Sequence, residues 1–277
     1  WPSGVEARSA AMSLAVASLH VYPIKSLGGF PLKEAHLTDR GFEHDRRWML
    51  VDEAGVFVTQ REAPEMACLH LRPRNNGSQV VDIRTDRTLD LPWTIAAGVE
   101  RMCSVWSDRV RTVVGDEAWS AWFSECLGRA VTLVHMPMRT RRRVDGRYAQ
   151  GLTSLSDGFP YLIISQASLD ELNGRSEVPV GMDRFRPNIV LAGGHAFQED
   201  TFAQIRIGDV RFHLVKPCAR CVIVTTDQRT GERGKEPLRT LATYRSSNNK
   251  VLFGMNAMGD GDGIVRVGDE VTILAAG

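Results

Sequence analysis

Two cysteines stand two residues apart in Lys216-Pro217-Cys218-Ala219-Arg220-Cys221, while Cys68, Cys103 and Cys126 are single and scattered. Three chemistries are open to a pair at this spacing. A zinc or iron–sulfur site needs about two more soft ligands, normally from a second pair, and the sequence offers none. A thioredoxin-like dithiol stands at a helix N-terminus, whose dipole lowers the thiol pKa. Here Val222-Ile223-Val224-Thr225-Thr226 follows, five β-branched residues that predict a strand. The third chemistry is a single working thiolate beside a structural cysteine. Lys216 and Arg220 flank the pair, and positive charge stabilises the thiolate, the form that binds soft metals. Two buried, inert thiols fit the same spacing, because free cysteine packs as a small hydrophobe.

Basic residues recur in unusual settings. Lys25 and Ser26 end the YPIKS stretch, Arg46 and Arg47 precede Trp48, and Arg186 and Asn188 belong to Phe185-Arg186-Pro187-Asn188. Each alone is most often a solvated strand end. Brought together with Arg220 they would form a pocket for an anion bearing planar polar groups, since guanidinium forks give bidentate hydrogen bonds. The densest charge run, Arg139 with Arg141, Arg142 and Arg143, reads as an exposed loop, at most the rim of an acidic partner's docking site. Asp157 in SLSDGFPYLI sits where turn chemistry explains it. No nucleophile elbow, P-loop, dinucleotide fingerprint or H-E-x-x-H zinc motif occurs.

The elements that must position these residues are mainly strands. Short alternating runs are separated by turns at Asp52–Gly55, at Asn76–Gly77, and at the Gly–Asp pairs of IRIGDVRFHLV and IVRVGDEVTIL, which predict hairpins. Helices are few. DEAWSAWFSECLG carries Asp116 as cap and Gly128 as stop, and SLDELNGR opens with Ser168 and Glu171 at capping-box spacing. A mainly β, α+β barrel architecture is expected. Residues 1–11 read as an extension, with a domain break near residue 130 giving 12–130 and 131–277. The 277 residues carry a net charge of +1, which argues against a general nucleic-acid or membrane-surface binder. Five cysteines, an odd and sparse set, argue against a secreted disulfide scaffold and for a reducing, cytoplasmic setting. No run approaches the ~20 apolar residues of a membrane-spanning helix.

In order, YPIKS, DRRWMLVDEAG, VTQREAP, SDGFPYLI, FRPNIVLAGG, KPCARCVIVTTDQRTG, EPLRTL, FGMNA and IVRVGDEV run from about Leu19 to Leu274. This series resembles the MOSC-domain molybdenum proteins, the family of the bacterial YcbX type and the mitochondrial amidoxime-reducing components. The resemblance implies an N-terminal MOSC-like β domain, a MOSC barrel, and molybdenum cofactor (Mo-molybdopterin) between them. It implies Cys221 as the protein ligand to molybdenum. Cofactor contacts are implied at Lys25, Ser26, Arg46, Asp157, Gly158, Arg186, Asn188, Ala219, Arg220 and Asn256. The implied reaction reduces N-hydroxylated compounds (hydroxylamines, amidoximes, N-hydroxylated base analogues) to amines or amidines. The chain ends at TILAAG with no cysteine-rich tail, so electrons are expected from an external ferredoxin, flavoprotein or b-type cytochrome. A non-catalytic cofactor or sulfur carrier using Cys221 is the alternative.

Overall fold

Val16, Leu19 and Val21 of the strand Ala15–Val21 are all buried, although a regular strand would not turn Val16 and Leu19 to one face. A bulge between Val16 and Ser18 shifts the register and brings all three inward. The computed structural model describes residues 13–277, so the expected extension over 1–11 lies outside the described residues. Ala15–Val21 belongs to a nine-stranded sheet. Its spatial order is Phe30–Leu32, Ala15–Val21, Ile189–Ala192, Tyr161–Ser165, Lys250–Gly259, Val210–Arg220, Phe202–Ile207 and Val271–Ala276, with Ser246–Ser247 added beside Lys250–Gly259. The sheet closes on itself. Ala15 bridges Glu270, the Val16 N–H donates to Asp269 O at 2.9 Å, and the Val271 N–H donates to Leu14 O at 2.8 Å. Closure leaves no free barrel edge along this seam. The pair Tyr161–Ser165 and Ile189–Ala192 is parallel, and the helix Gln166–Arg175 lies in the crossover that a parallel pair requires.

A second sheet runs Trp48–Val51, Thr132–His135, Asp108–Val114, Glu100–Val105, and a meander joins Leu69–Arg74, Gly77–Asp82 and Arg87–Pro92. The early and late parts of the chain exchange strands. Ala15–Val21 and Phe30–Leu32 are barrel staves, whereas Thr132–His135 completes the sheet of earlier residues. One buried cluster accordingly contains Leu19, Trp48, Phe123, Leu133, Tyr161 and Phe212. The mainly β expectation is met, with three α-helices among the described residues. None of those helices is long and apolar enough to cross a membrane.

The helix Glu117–Leu127 starts and stops as its sequence predicts. The Asp116 carboxylate accepts from the Ala118 N–H at 2.8 Å, and Gly128 takes φ +60° as a left-handed cap. Four local expectations are corrected. The second helix begins at Gln166, capped by Ser165, whose Oγ accepts from the Ser168 N–H at 3.1 Å. Ser168 instead faces inward, because the buried Glu199 carboxylate accepts from both hydroxyls, at 2.9 and 2.7 Å. The turn of the meander is Asn75–Asn76, with Gly77 already paired to Arg74. Gly77 is demanded by close approach, since a Cβ there would lie 2.0 Å from Leu91 O. The strands around Gly268–Asp269 form no hairpin: Ile264–Arg266 pairs with Glu34–Thr38, and Val271–Ala276 with Phe202–Ile207. Finally, Val222–Thr225 is a 3-10 turn and not a strand. Pairing ends at Arg220↔Val251, and the turn buries Val224 in a cluster with Leu241 and Phe253. Burial there outweighs β-propensity.

Candidate functional site

That turn sets the site. Cys221 lies one residue beyond the strand Val210–Arg220 and begins the turn anchored by Val224. Its partly exposed thiol opens into a pocket of about 310 Å³ between barrel and second sheet. Lys25, Ser26, Arg46, Asp157, Gly158, Arg186, Asn188, Ala219, Arg220, Cys221 and Asn256 all line this pocket, though they are spread over more than 230 residues of sequence. Arg61 and Trp106, which the sequence did not single out, line it too. Five cations (Lys25, Arg46, Arg61, Arg186, Arg220) face it against one carboxylate, Asp157, so the walls carry a positive excess.

Tyr22 organises two of the cations. The guanidiniums of Arg46 and Arg186 both pack on its ring, at 4.4 and 4.3 Å from the centroid, and its hydroxyl donates to Pro187 O at 3.1 Å. Arg46 is fixed further by the buried Asp45 carboxylate at 2.5 Å and by Asn188 Oδ1 at 3.0 Å. Asn188 also accepts from the Leu162 N–H and donates to His20 O, so its side chain is spent on holding strands and Arg46 in place. Arg186 has no carboxylate within ion-pairing distance among the described residues. Burial first, and Arg46 with it, pushes Arg186 down to about 10, only partly offset by Tyr22, Asp45 and Asp157. Of nine non-glycine residues at positive φ among the described residues, four line the pocket: Ser26, Arg46, Trp106 and Arg186. Such backbone strain concentrates where a constellation must be held in shape.

On the opposite wall, Lys25 Nζ donates to Leu155 O at 2.9 Å and to Asp157 Oδ1 at 2.5 Å. Arg61 Nη2 lies 3.3 Å from Asp157 Oδ2 and 3.4 Å from Cys221 Sγ. The surrounding protein raises the cost of charge on Asp157, although its side chain is 56% exposed, but Lys25 and Arg61 outweigh this and hold it well below the usual carboxylate range. Burial pushes Lys25 down to about 8, partly offset by Asp157. On the cysteine strand, Arg220 Nη1 donates to Cys218 Sγ at 3.1 Å and Nη2 to Phe185 O at 2.8 Å. Asn256 Nδ2 points at Lys216 O and Pro217 O, each at 3.4 Å. Among the described residues no three His, Cys, Asp or Glu side chains gather into a metal cage. The arrangement suits an extended anion held by guanidiniums, with a soft metal at the Cys221 sulfur.

The basic run expected to be an exposed loop is corrected at Arg142, which is buried. Its guanidinium donates to Ser154 O at 2.9 Å, Ser156 O at 2.5 Å, Asp157 O at 3.3 Å and Asp108 Oδ2 at 2.8 Å. The segment carrying Asp157 is therefore held by Arg142 as well as by Lys25. Arg142→Ala strands these buried acceptors and should lower stability by about 3 kcal/mol in urea unfolding. It should also weaken anion binding in the pocket, whereas Arg141→Ala, at an exposed position, should change neither.

Residues 13–130 match the family described as MOSC N-terminal beta barrel domain, and residues 150–272 match the MOSC domain. The chain is 33% identical to human mitochondrial amidoxime-reducing component 1, over 94% of this chain and 82% of that protein. It is 34% identical to rat mitochondrial amidoxime reducing component 2, over 92% and 82%. It is also 31% identical to the molybdenum cofactor sulfurase of Oryza sativa subsp. japonica, over 90% of this chain but only 33% of that longer protein.

Proposed function

The chain belongs to the MOSC-domain family that includes the mitochondrial amidoxime-reducing components, and from that premise we propose that it is a molybdenum-cofactor-dependent reductase of N-hydroxylated compounds. The observation that supports this reading is the half-open Cys221 thiol in a pocket walled by five cations and one carboxylate, with Arg186 lacking an acidic partner. A phosphorylated, thiol-ligated metal cofactor fits that donor set. Cys221 would ligate the metal; Arg46, Arg186, Arg220 and Lys25 would neutralise phosphate and frame the ring; Ser26, Gly158, Ala219 and Asn256 would contact it through backbone or amide groups. When bound, the molybdenum centre supplies two-electron oxygen abstraction, so that R–NHOH, two electrons and two protons become R–NH₂ and water. Arg61, beside Cys221, stabilises negative charge on the sulfur, and Asp157 with Lys25 keeps Arg61 there. A domain division at about residue 130 and an external electron-transfer protein as donor belong to the same proposal.

Molybdenum-loaded protein supplied with a reduced viologen dye should convert benzamidoxime to benzamidine. Protein that holds cofactor yet turns over nothing would favour the cofactor or sulfur carrier suggested by the sulfurase relatives. A pH effect follows from Lys25. In the cofactor-free pocket it loses its proton near pH 8, so positive charge falls as pH rises past that point. Affinity for sulfate, which keeps its charge over this range, should drop on the order of tenfold between pH 7 and 9.5. Lys25→Arg should lessen the drop, as read by titration calorimetry, and what remains comes in part from Arg186, whose charge weakens toward pH 10.

A further inference from the structure

The Trp106 indole stands at the mouth of the pocket, on the two-residue turn that links Glu100–Val105 to Asp108–Val114. Its backbone has φ +56°, a conformation that glycine or asparagine adopts cheaply and a bulky aromatic residue does not. Burial in the core gives no reason for this choice, since the residue is 49% exposed. Arg61 stacks on the indole at 4.6 Å and Phe57 meets it edge-on at 5.1 Å, which fixes the plane of the ring. The same Arg61 reaches Cys221 Sγ at 3.4 Å, so the ring is tied directly to the reacting end of the pocket. Phe159, Tyr161 and Phe185 line the pocket as well, so that aromatic surface accompanies the cations.

A strained, half-open, orientation-locked indole next to the thiol is a stacking platform. We propose that Trp106 is a specificity-determining residue that favours N-hydroxylated substrates bearing a planar aromatic group, by stacking that group at the pocket mouth. The assignment rests on the reductase reading above and adds to it a substrate class and the residue that selects it. Arg61 buttresses the platform, and the indole remains half exposed at the pocket it lines.

The test compares benzamidoxime with acetamidoxime, which carries the same reacting group without the ring, on wild-type, Trp106→Gly and Trp106→Phe proteins loaded with molybdenum. Glycine suits the turn, so Trp106→Gly should fold with an undiminished melting temperature. It should raise KM for benzamidoxime roughly two- to tenfold more than KM for acetamidoxime, while any change in kcat that comes through Arg61 is shared by both substrates. Trp106→Phe should restore most of the preference. Equal effects on both substrates, or none, would overturn the assignment and leave Trp106 a support for Arg61 alone. If the wild-type protein reduces neither compound, the reductase reading fails by itself. Benzamidoxime binding to the same proteins, read by saturation-transfer NMR, then decides for Trp106: loss in Trp106→Gly sustains it, and equal binding overturns it.

Discussion

Cys221→Ser should leave a folded protein that carries no molybdenum, while Cys218→Ser keeps most of it. Both sulfurs border the pocket, but their surroundings differ. Cys218 accepts from the Arg220 guanidinium at 3.1 Å on its own strand, a contact that serine reproduces. Cys221 sits beyond the last strand pair, held at the pocket by the buried Val224 and faced by Arg61 from the turn that precedes Pro64–Cys68. A serine hydroxyl is a hard, weakly acidic ligand and does not replace a thiolate on a soft metal. Cys221 itself is not in the hydrophobic core, so the exchange should cost little stability. Elemental analysis of the two variants from a molybdate-fed host reads the outcome, and equal loss from both would contradict the ligand assignment.

Arg186→Gln should weaken cofactor retention by on the order of 10- to 100-fold with no loss of fold stability. A charged donor to an anion contributes about 1.5–3 kcal/mol, and in most proteins part of that loss would appear as unfolding. Here it should not. Arg186 has no carboxylate partner among the described residues, and burial already works against its charge. Glutamine tolerates the backbone at φ +56° no worse than arginine does. Cofactor content after dialysis, set beside the thermal midpoint, separates the two effects. A thermal midpoint of the cofactor-free variant below that of the cofactor-free wild type would mean that Arg186 supports the fold.

The strands were largely legible, because alternation is a local signal, but of the Gly–Asp and Asn–Gly pairs only Gly208–Asp209 turns a hairpin where it was expected. What the sequence could not carry was convergence. Lys25, Arg46, Arg186 and Arg220 look like solvated strand ends until the closed sheet sets their strands around one cavity. The resemblance to a family named those residues; their spacing alone left two inert cysteines equally open. The misread segments share a cause. Val222–Thr225 has strand composition, but its neighbour strand stops pairing at Val251 and the core claims Val224. Arg142 sits in a run of arginines that looks uniformly exposed, and nothing in that run marks which one turns inward to hold the Asp157 segment. Arg61 gave no local signal at all, since its partners Trp106, Asp157 and Cys221 lie 45 or more residues away.

Molybdenum and pterin content of the wild-type protein is the most direct measurement. After expression in a host fed with molybdate, the metal and the fluorescence of the oxidised pterin should both be stoichiometric with the chain. Protein that is folded and free of both, from a host that loads another molybdenum enzyme in the same culture, would contradict the assignment of this pocket.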